Sequence, residues 1–147
     1  MQTNYHKISS DDFQTSINGS IIRTEYLVAQ PNQQVGLAVK KSWEELTSNH
    51  HTPSHYKICV LSDQLRFNND FKQFLQETQQ NKCKARALVV PHQNVHALID
   101  SYLLIKPNCQ TLRCFTLESE AMQWLNKLQT TQILVTTPKM GETQKIK

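Results

Sequence analysis

Three times in succession, the chain passes from a short block rich in apolar residues into a segment whose apolar residues recur every three or four positions. The blocks are residues 56–61, 85–90 and 111–115. Blocks of this length are typical of strands in the interior of a sheet, and spacings of three and four place apolar side chains on one side of a helix. Three such alternations predict right-handed crossovers and a largely parallel sheet.

A β-hairpin and a further helix precede these alternations. Asn18-Gly19 is a strong turn signal between a weakly defined strand at about 13–17 and a clearer one at 21–29. Pro31 marks the start of a helix that continues to about residue 48. Its apolar stripe consists of Val35, Val39, Trp43 and Leu46.

The order ββαβαβαβα predicts an α/β fold with an N-terminal hairpin, followed by β-α repeats that form a mostly parallel sheet of four or five strands backed by helices. With 147 residues, two domains would each have too little core, so residues 1–130 are interpreted as one domain. Residues 131–147 are interpreted as an extension, with an edge strand at 133–135 and a disordered tail after it.

Charge and hydropathy argue against nucleic-acid and membrane partners. The formal net charge is +4, and the densest basic stretch, Lys82, Lys84 and Arg86, lies where a helix gives way to a strand. We interpret it as a solvated junction, since a nucleic-acid binder concentrates Lys and Arg on one face. No apolar run approaches the length of a membrane span, and the polar N-terminus lacks an export signal.

The four cysteines form no CxxC pair and no zinc-ribbon spacing. Cys59 and Cys114 lie within apolar segments and are expected to be small core residues. Without an export signal, reduced thiols and a cytoplasmic location are expected.

Motifs for catalysis are missing from the sequence. None of the three glycines follows a strand and opens a helix, which excludes a P-loop and a dinucleotide fingerprint, and neither GxSxG nor HExxH occurs. Asp63 and Asp100 are the acids best placed near the core, and each is interpreted as a cap or turn residue. The sequence predicts no enzyme activity and no cofactor.

Histidine clusters were the remaining candidates for metal binding. His50, His51 and His55 crowd one loop without a nearby carboxylate, and they are interpreted as solvated. His92 and His96 are four positions apart, but Pro91 places His92 before the helix, so the two are not expected to share a metal.

A small-molecule site is expected, if anywhere, in the crevice at the carboxyl ends of the strands, where open α/β sheets bind ligands. The residues predicted to line it are Asp63, His92, Asn94 and Thr116. A carrier or sensor of an apolar or nucleotide-like ligand is therefore one of two functional hypotheses.

The other hypothesis comes from a resemblance carried by the C-terminal half. The last strand runs into the pattern F-x-x-x-x-E-A-x-x-W-L, matched by Phe115, Glu120, Ala121, Trp124 and Leu125. This ending, together with the strand at 87–90 and the Lys-Pro element at 106–107, resembles the SpoIIAA-like, STAS-related proteins, and in particular a STAS-like group found in Bacteroidetes.

The resemblance implies a regulatory module that acts through protein–protein interaction. In the wider family a serine at the start of the corresponding helix is phosphorylated, but residues 64–70 contain no Ser or Thr, and Ser62 is the nearest hydroxyl. A phospho-switch is therefore not expected. The residues predicted to bind a protein partner are Arg66, Phe67, Asn68 and Asn69. Burial of Phe67 beneath its own loop is the alternative for that residue, and a homodimer is an alternative assembly.

Overall fold

The computed structural model describes residues 2–3, 6–50, 55–81, 83–105 and 111–136. In this part of the chain the strands are β1 (Gln2–Thr3), β2 (Lys7–Ser9), β3 (Phe13–Asn18), β4 (Ile21–Tyr26), β5 (Tyr56–Val60), β6 (Ala85–Val89) and β7 (Thr111–Phe115). The helices are α1 (Gln33–His50), α2 (Asn69–Thr78), α3 (Gln93–Ile105) and α4 (Glu118–Thr136).

The seven strands form one sheet in the order of the sequence, from β1 to β7. Strands β1 to β4 pair antiparallel, and β4 to β7 pair parallel. The α/β class and the hairpin are as predicted, and Gly19 takes the left-handed φ of 63° that the tight turn between β3 and β4 requires. The prediction of four or five strands is wrong, because two short polar strands before the hairpin extend the antiparallel edge.

The helices are divided unevenly between the two faces of the sheet. Because each right-handed crossover advances in the same direction along the sheet, α1, α2 and α3 all pack on one face, called here the three-helix face. Helix α4 returns across the opposite face, where Ala121 and Leu125 are fully buried against β5 and β6. The central strands β5 and β6 are thus covered on both sides, as their apolar sequences predict.

The interior of the three-helix face contains two basic side chains. Lys57 of β5 and Arg86 of β6 are register partners, with 1% and 0% of their surfaces exposed. The prediction that Arg86 lies at a solvated junction is wrong. Arg86 is the second residue of β6, so strand alternation turns its side chain beneath Trp43 of α1, whereas Lys84 before the strand is exposed.

Helix α4 continues to Thr136, so the edge strand predicted at 133–135 is wrong. No Gly or Pro interrupts residues 118–136, and the first helix-breaking residue after them is Pro138. The predicted disordered tail, residues 137–147, lies outside the described residues. Among the described helices, none combines the length and the apolar character that crossing a membrane requires.

Candidate functional site

A cavity of about 650 Å³ opens at the carboxyl ends of β4, β5 and β6. Parallel strands bring their carboxyl ends to one edge of the sheet, so the segments that follow the three strands meet here. The lining residues are Ala29, Gln30, Asp63, Gln64, Leu65, Arg66, Asn68 and His92.

Gln30 fixes the conformation of the loop that follows β5. Its side-chain amide donates to the Arg66 carbonyl oxygen at 3.0 Å and to Asn68 Oδ1 at 3.2 Å. Its Oε1 accepts from the Arg66 backbone N–H at 2.9 Å. One side chain after β4 therefore satisfies both backbone polar groups of Arg66, as a neighbouring strand would.

The end of the same loop is anchored to α2. Asn68 is the N-cap, and its Oδ1 accepts from the Phe71 backbone N–H at 3.1 Å. The Phe67 ring lies edge-on to the rings of Phe71 and Tyr102, with centroids 5.9 and 5.8 Å apart, and Lys72 Nζ lies 5.5 Å from the Phe67 centroid. Phe67 is thus half-buried, which favours the alternative prediction for this residue, burial beneath its own loop.

The other residues predicted to bind a partner are solvent-exposed: Arg66, Asn68 and Asn69. Of the four residues predicted to line a ligand crevice, Asp63 and His92 line the cavity. Asn94 is exposed on the first turn of α3 and Thr116 follows β7, and neither is among the lining residues. The cavity lies between the segments that follow β4, β5 and β6. Thr116 follows β7, one strand further across the sheet, and is therefore not part of the lining.

The cavity brings together side chains of different charge. Asp63, Arg66 and His92 bring one acidic, one cationic and one imidazole side chain, but the His92 ring nitrogen Nε2 is hydrogen-bonded to the Asp63 carbonyl oxygen. The eight described lining residues include no hydroxyl or thiol that could act as a nucleophile.

Metal-binding groups are not assembled in the described part of the chain, where no three His, Cys, Asp or Glu side chains gather around one point. His55 is buried at the start of β5, whereas the side chain of His50 and all of His51 lie outside the described residues. His96 Nε2 is hydrogen-bonded to the Val90 carbonyl oxygen.

The loop and the cavity lie within a region that a protein-family model recognises. The model of DUF7793, a domain of unknown function, matches residues 18–129, about three quarters of the chain. The chain belongs to the DUF7793 family. No curated protein and no solved structure matches it.

The DUF7793 domain also contains a buried basic cluster that sequence reasoning missed. Lys57 Nζ lies 4.0 Å from the Trp43 ring centroid and donates to the Asn81 carbonyl oxygen at 3.0 Å, at the end of α2. Burial lowers the pKa of Lys57 to about 8. The available signal was a basic residue at the second position of the first two apolar blocks, Lys57 in 56–61 and Arg86 in 85–90.

Proposed function

We propose that this DUF7793 domain is a non-enzymatic, STAS-like regulatory module that binds a protein partner in the cytoplasm. The proposed docking surface comprises three exposed residues: Arg66, which lines the cavity, and Asn69 and Asp70, which begin α2. The observation that carries the proposal is the set of three hydrogen bonds between Gln30 and this loop, two donated and one accepted by the Gln30 side chain. A pre-ordered loop loses little conformational entropy on binding, and an Arg at its centre is a common energetic anchor.

A further observation supports the STAS-like part of the proposal. Within the C-terminal motif, Ala121 and Leu125 are buried against the sheet, and the rings of Phe115 and Trp124 are 5.4 Å apart. These residues form the fold, as the resemblance implies. Ser62, the hydroxyl residue nearest in sequence to residues 64–70, accepts a hydrogen bond from the Gln64 backbone N–H at 3.0 Å. Its engagement in the turn favours a partner that binds without a phosphorylation switch.

The test keeps Arg66 and Asn69, places a photo-crosslinking amino acid at the neighbouring exposed position Asp70 in cells of the source organism, and identifies the captured protein. That protein is then purified and its affinity measured by calorimetry. The double variant Arg66→Ala/Asn69→Ala should bind at least about tenfold more weakly, a loss of ~1.4 kcal/mol, with a melting temperature within about 2 °C of the wild type. Phe67 is kept, because its ring packs against Phe71 and Tyr102.

The matched control is Lys127→Ala/Gln123→Ala, which removes a cation and an amide from exposed positions of α4 on the other side of the sheet. It should bind like the wild type. Equal affinities for the Arg66/Asn69 variant and the wild type would reject the docking surface.

A second candidate function is a small-ligand carrier or sensor, which is favoured by the cavity and by its mixed lining of Asp63, Arg66 and His92. Native mass spectrometry of the purified protein distinguishes the two. A defined bound small mass that Asp63→Ala removes would support the carrier and count against the regulatory module.

A further inference from the structure

Arg86 is a fully buried cation without a hydrogen-bond acceptor. Its side chain is 0% exposed, and none of its three guanidinium nitrogens bonds to any residue in the part of the chain that the structure describes. Its neighbour Trp43 offers only the face of a ring, 5.4 Å from the Arg86 Cζ atom to the ring centroid. A buried charge without a partner destabilises a fold by several kcal/mol, so a counter-charge is expected here.

The neighbouring cation, Lys57, is in a different situation. Its ammonium group already has the Asn81 carbonyl oxygen as an acceptor, and burial lowers its pKa to about 8, so it can lose its proton above that pH. Arg86 cannot become neutral in this way, because an arginine side chain stays protonated in proteins. Two cations on adjacent strands repel each other, which increases the need for negative charge beside Arg86.

Protein carboxylates do not supply that charge. Among the described residues Glu77 is the only buried acid, and it bonds to Lys40 Nζ at 2.5 Å on the side of α2 that faces α1. The polar groups that interact with Arg86 are instead the Tyr26 hydroxyl and the Cys59 thiol.

Tyr26 is a second unsatisfied donor at the same place. Its hydroxyl is buried and has no hydrogen-bond partner among the described residues. Burial raises the pKa of Tyr26 well above its ordinary value, and the nearby Arg86 charge opposes this only in part, so the hydroxyl keeps its proton. Arg86 and Tyr26 therefore both have unpaired donors beside the Cys59 thiol, and the only acceptors there are the neutral thiol and hydroxyl, neither of which supplies a negative charge.

We propose that Arg86 and Tyr26 form an internal binding site for a small monovalent inorganic anion of the size of chloride. A negative ion would accept from both donors and neutralise the guanidinium. The surroundings limit its size, because Tyr26 is packed edge-on against Phe74 with centroids 5.2 Å apart, and Trp43 covers Arg86. Larger oxyanions would require the helices to move away from the sheet.

The first experiment measures thermal unfolding while chloride replaces gluconate at constant ionic strength and pH. An anion that binds only the folded chain should raise the melting temperature by about 4 °C per tenfold increase in chloride once the site is half-filled. Arg86→Met, which removes the charge and keeps most of the volume, should abolish this dependence. Arg66→Met, at an exposed position, should retain it. Equal chloride dependence in the wild type and in Arg86→Met would overturn the proposal.

The second experiment does not depend on whether Arg86→Met folds. Crystals of the wild type grown in bromide should show an anomalous peak within about 3.5 Å of an Arg86 nitrogen and of the Tyr26 hydroxyl. A water molecule at that position, or no peak, would overturn the proposal. If Cys59 supplies the charge as a thiolate, the wild type will be insensitive to chloride and Cys59→Ala will become sensitive, and this result would also overturn it.

Discussion

Arg23 of β4 and Glu118, the first residue of α4, form an ion pair with two hydrogen bonds. Arg23 Nε donates to Glu118 Oε2 at 2.5 Å, and Nη2 donates to Oε1 at 3.0 Å. The hydrogen bonds from Arg23 lower the pKa of the Glu118 carboxyl group. Because the two residues are 95 positions apart in the chain, the pair fixes where the last helix begins relative to the hairpin half of the sheet.

The first prediction concerns this pair. Glu118→Gln should lower the free energy of unfolding by about 1 kcal/mol or less. The bidentate geometry of the ion pair is favourable, but both side chains are more than one third exposed, so water screens their attraction. Urea denaturation measures the loss, which should shrink in 0.5 M salt. Glu120→Gln, at an exposed position on the same helical turn, is the control for the helix dipole. Equal losses in the two variants would show that the pair contributes nothing of its own.

The second prediction tests the close approach of α1 and α2 at Gly36. A Cβ atom added there would lie 3.1 Å from Glu77 Cβ and 3.3 Å from the Phe74 carbonyl oxygen. Gly36→Val should therefore lower the free energy of unfolding by about 3 kcal/mol, because the helices must separate. Ala38→Val, at an exposed position of the same helix, should cost only about 0.6 kcal/mol through helix propensity. Comparable losses by urea denaturation would contradict this account of the packing.

The fold was largely predictable because its signals are local. The apolar blocks that became β5 and β6, the turn at Gly19, and the stripe of α1 each depend on a few consecutive residues. Strands β1 and β2 could not be found this way. They are short and polar, and Lys7–Ser9 becomes a strand only because the hairpin offers it an open edge. The end of α4 was misjudged, since residues 133–135 favour strands locally but continue an uninterrupted helix.

The candidate site was predictable only in outline. Asp63 and His92 could be placed together because they follow neighbouring parallel strands. The role of Gln30 could not be seen, because it depends on a side chain that reaches a loop 36 positions away. The burial of Arg86 was hidden for a similar reason. A basic residue near a strand end is usually solvated, whereas here Trp43 packs over the side chain from α1, a helix distant in sequence.

The third prediction concerns a chain of buried hydrogen bonds under α1. Trp43 Nε1 donates to Thr24 Oγ1 at 2.8 Å, and Thr24 Oγ1 lies 2.8 Å from Thr15 Oγ1 on the neighbouring strand. Thr24→Val leaves the buried indole N–H without an acceptor and should cost about 2 kcal/mol. Thr15→Val keeps that acceptor and should cost about half as much. Guanidinium denaturation measures both losses in the free energy of unfolding. A larger loss for Thr15→Val than for Thr24→Val would contradict this arrangement of hydrogen bonds.

The last prediction is a pH dependence of stability that originates at His55. Burial lowers the pKa of His55 from 6.5 to about 4, and the Lys57 charge adds to the effect, while the neighbouring Asn81 side chain opposes it in part. Between pH 6.5 and pH 4 the unfolded chain therefore binds a proton that the folded chain does not. Stability should fall as the pH falls through this window, by up to about 3 kcal/mol, and this contribution is absent above pH 6.5.

An NMR titration of the His55 ring protons measures the folded-state pKa directly, and urea denaturation from pH 7 to pH 4 measures its consequence. His55→Gln cannot take up the proton, so the stability difference between wild type and variant should change across this window. Lys57→Met removes the neighbouring charge and should move the His55 midpoint upward, toward 6.5. A wild-type midpoint already near 6.5, or a stability difference that is independent of pH, would show that the imidazole is solvated, because only an enclosed ring resists protonation.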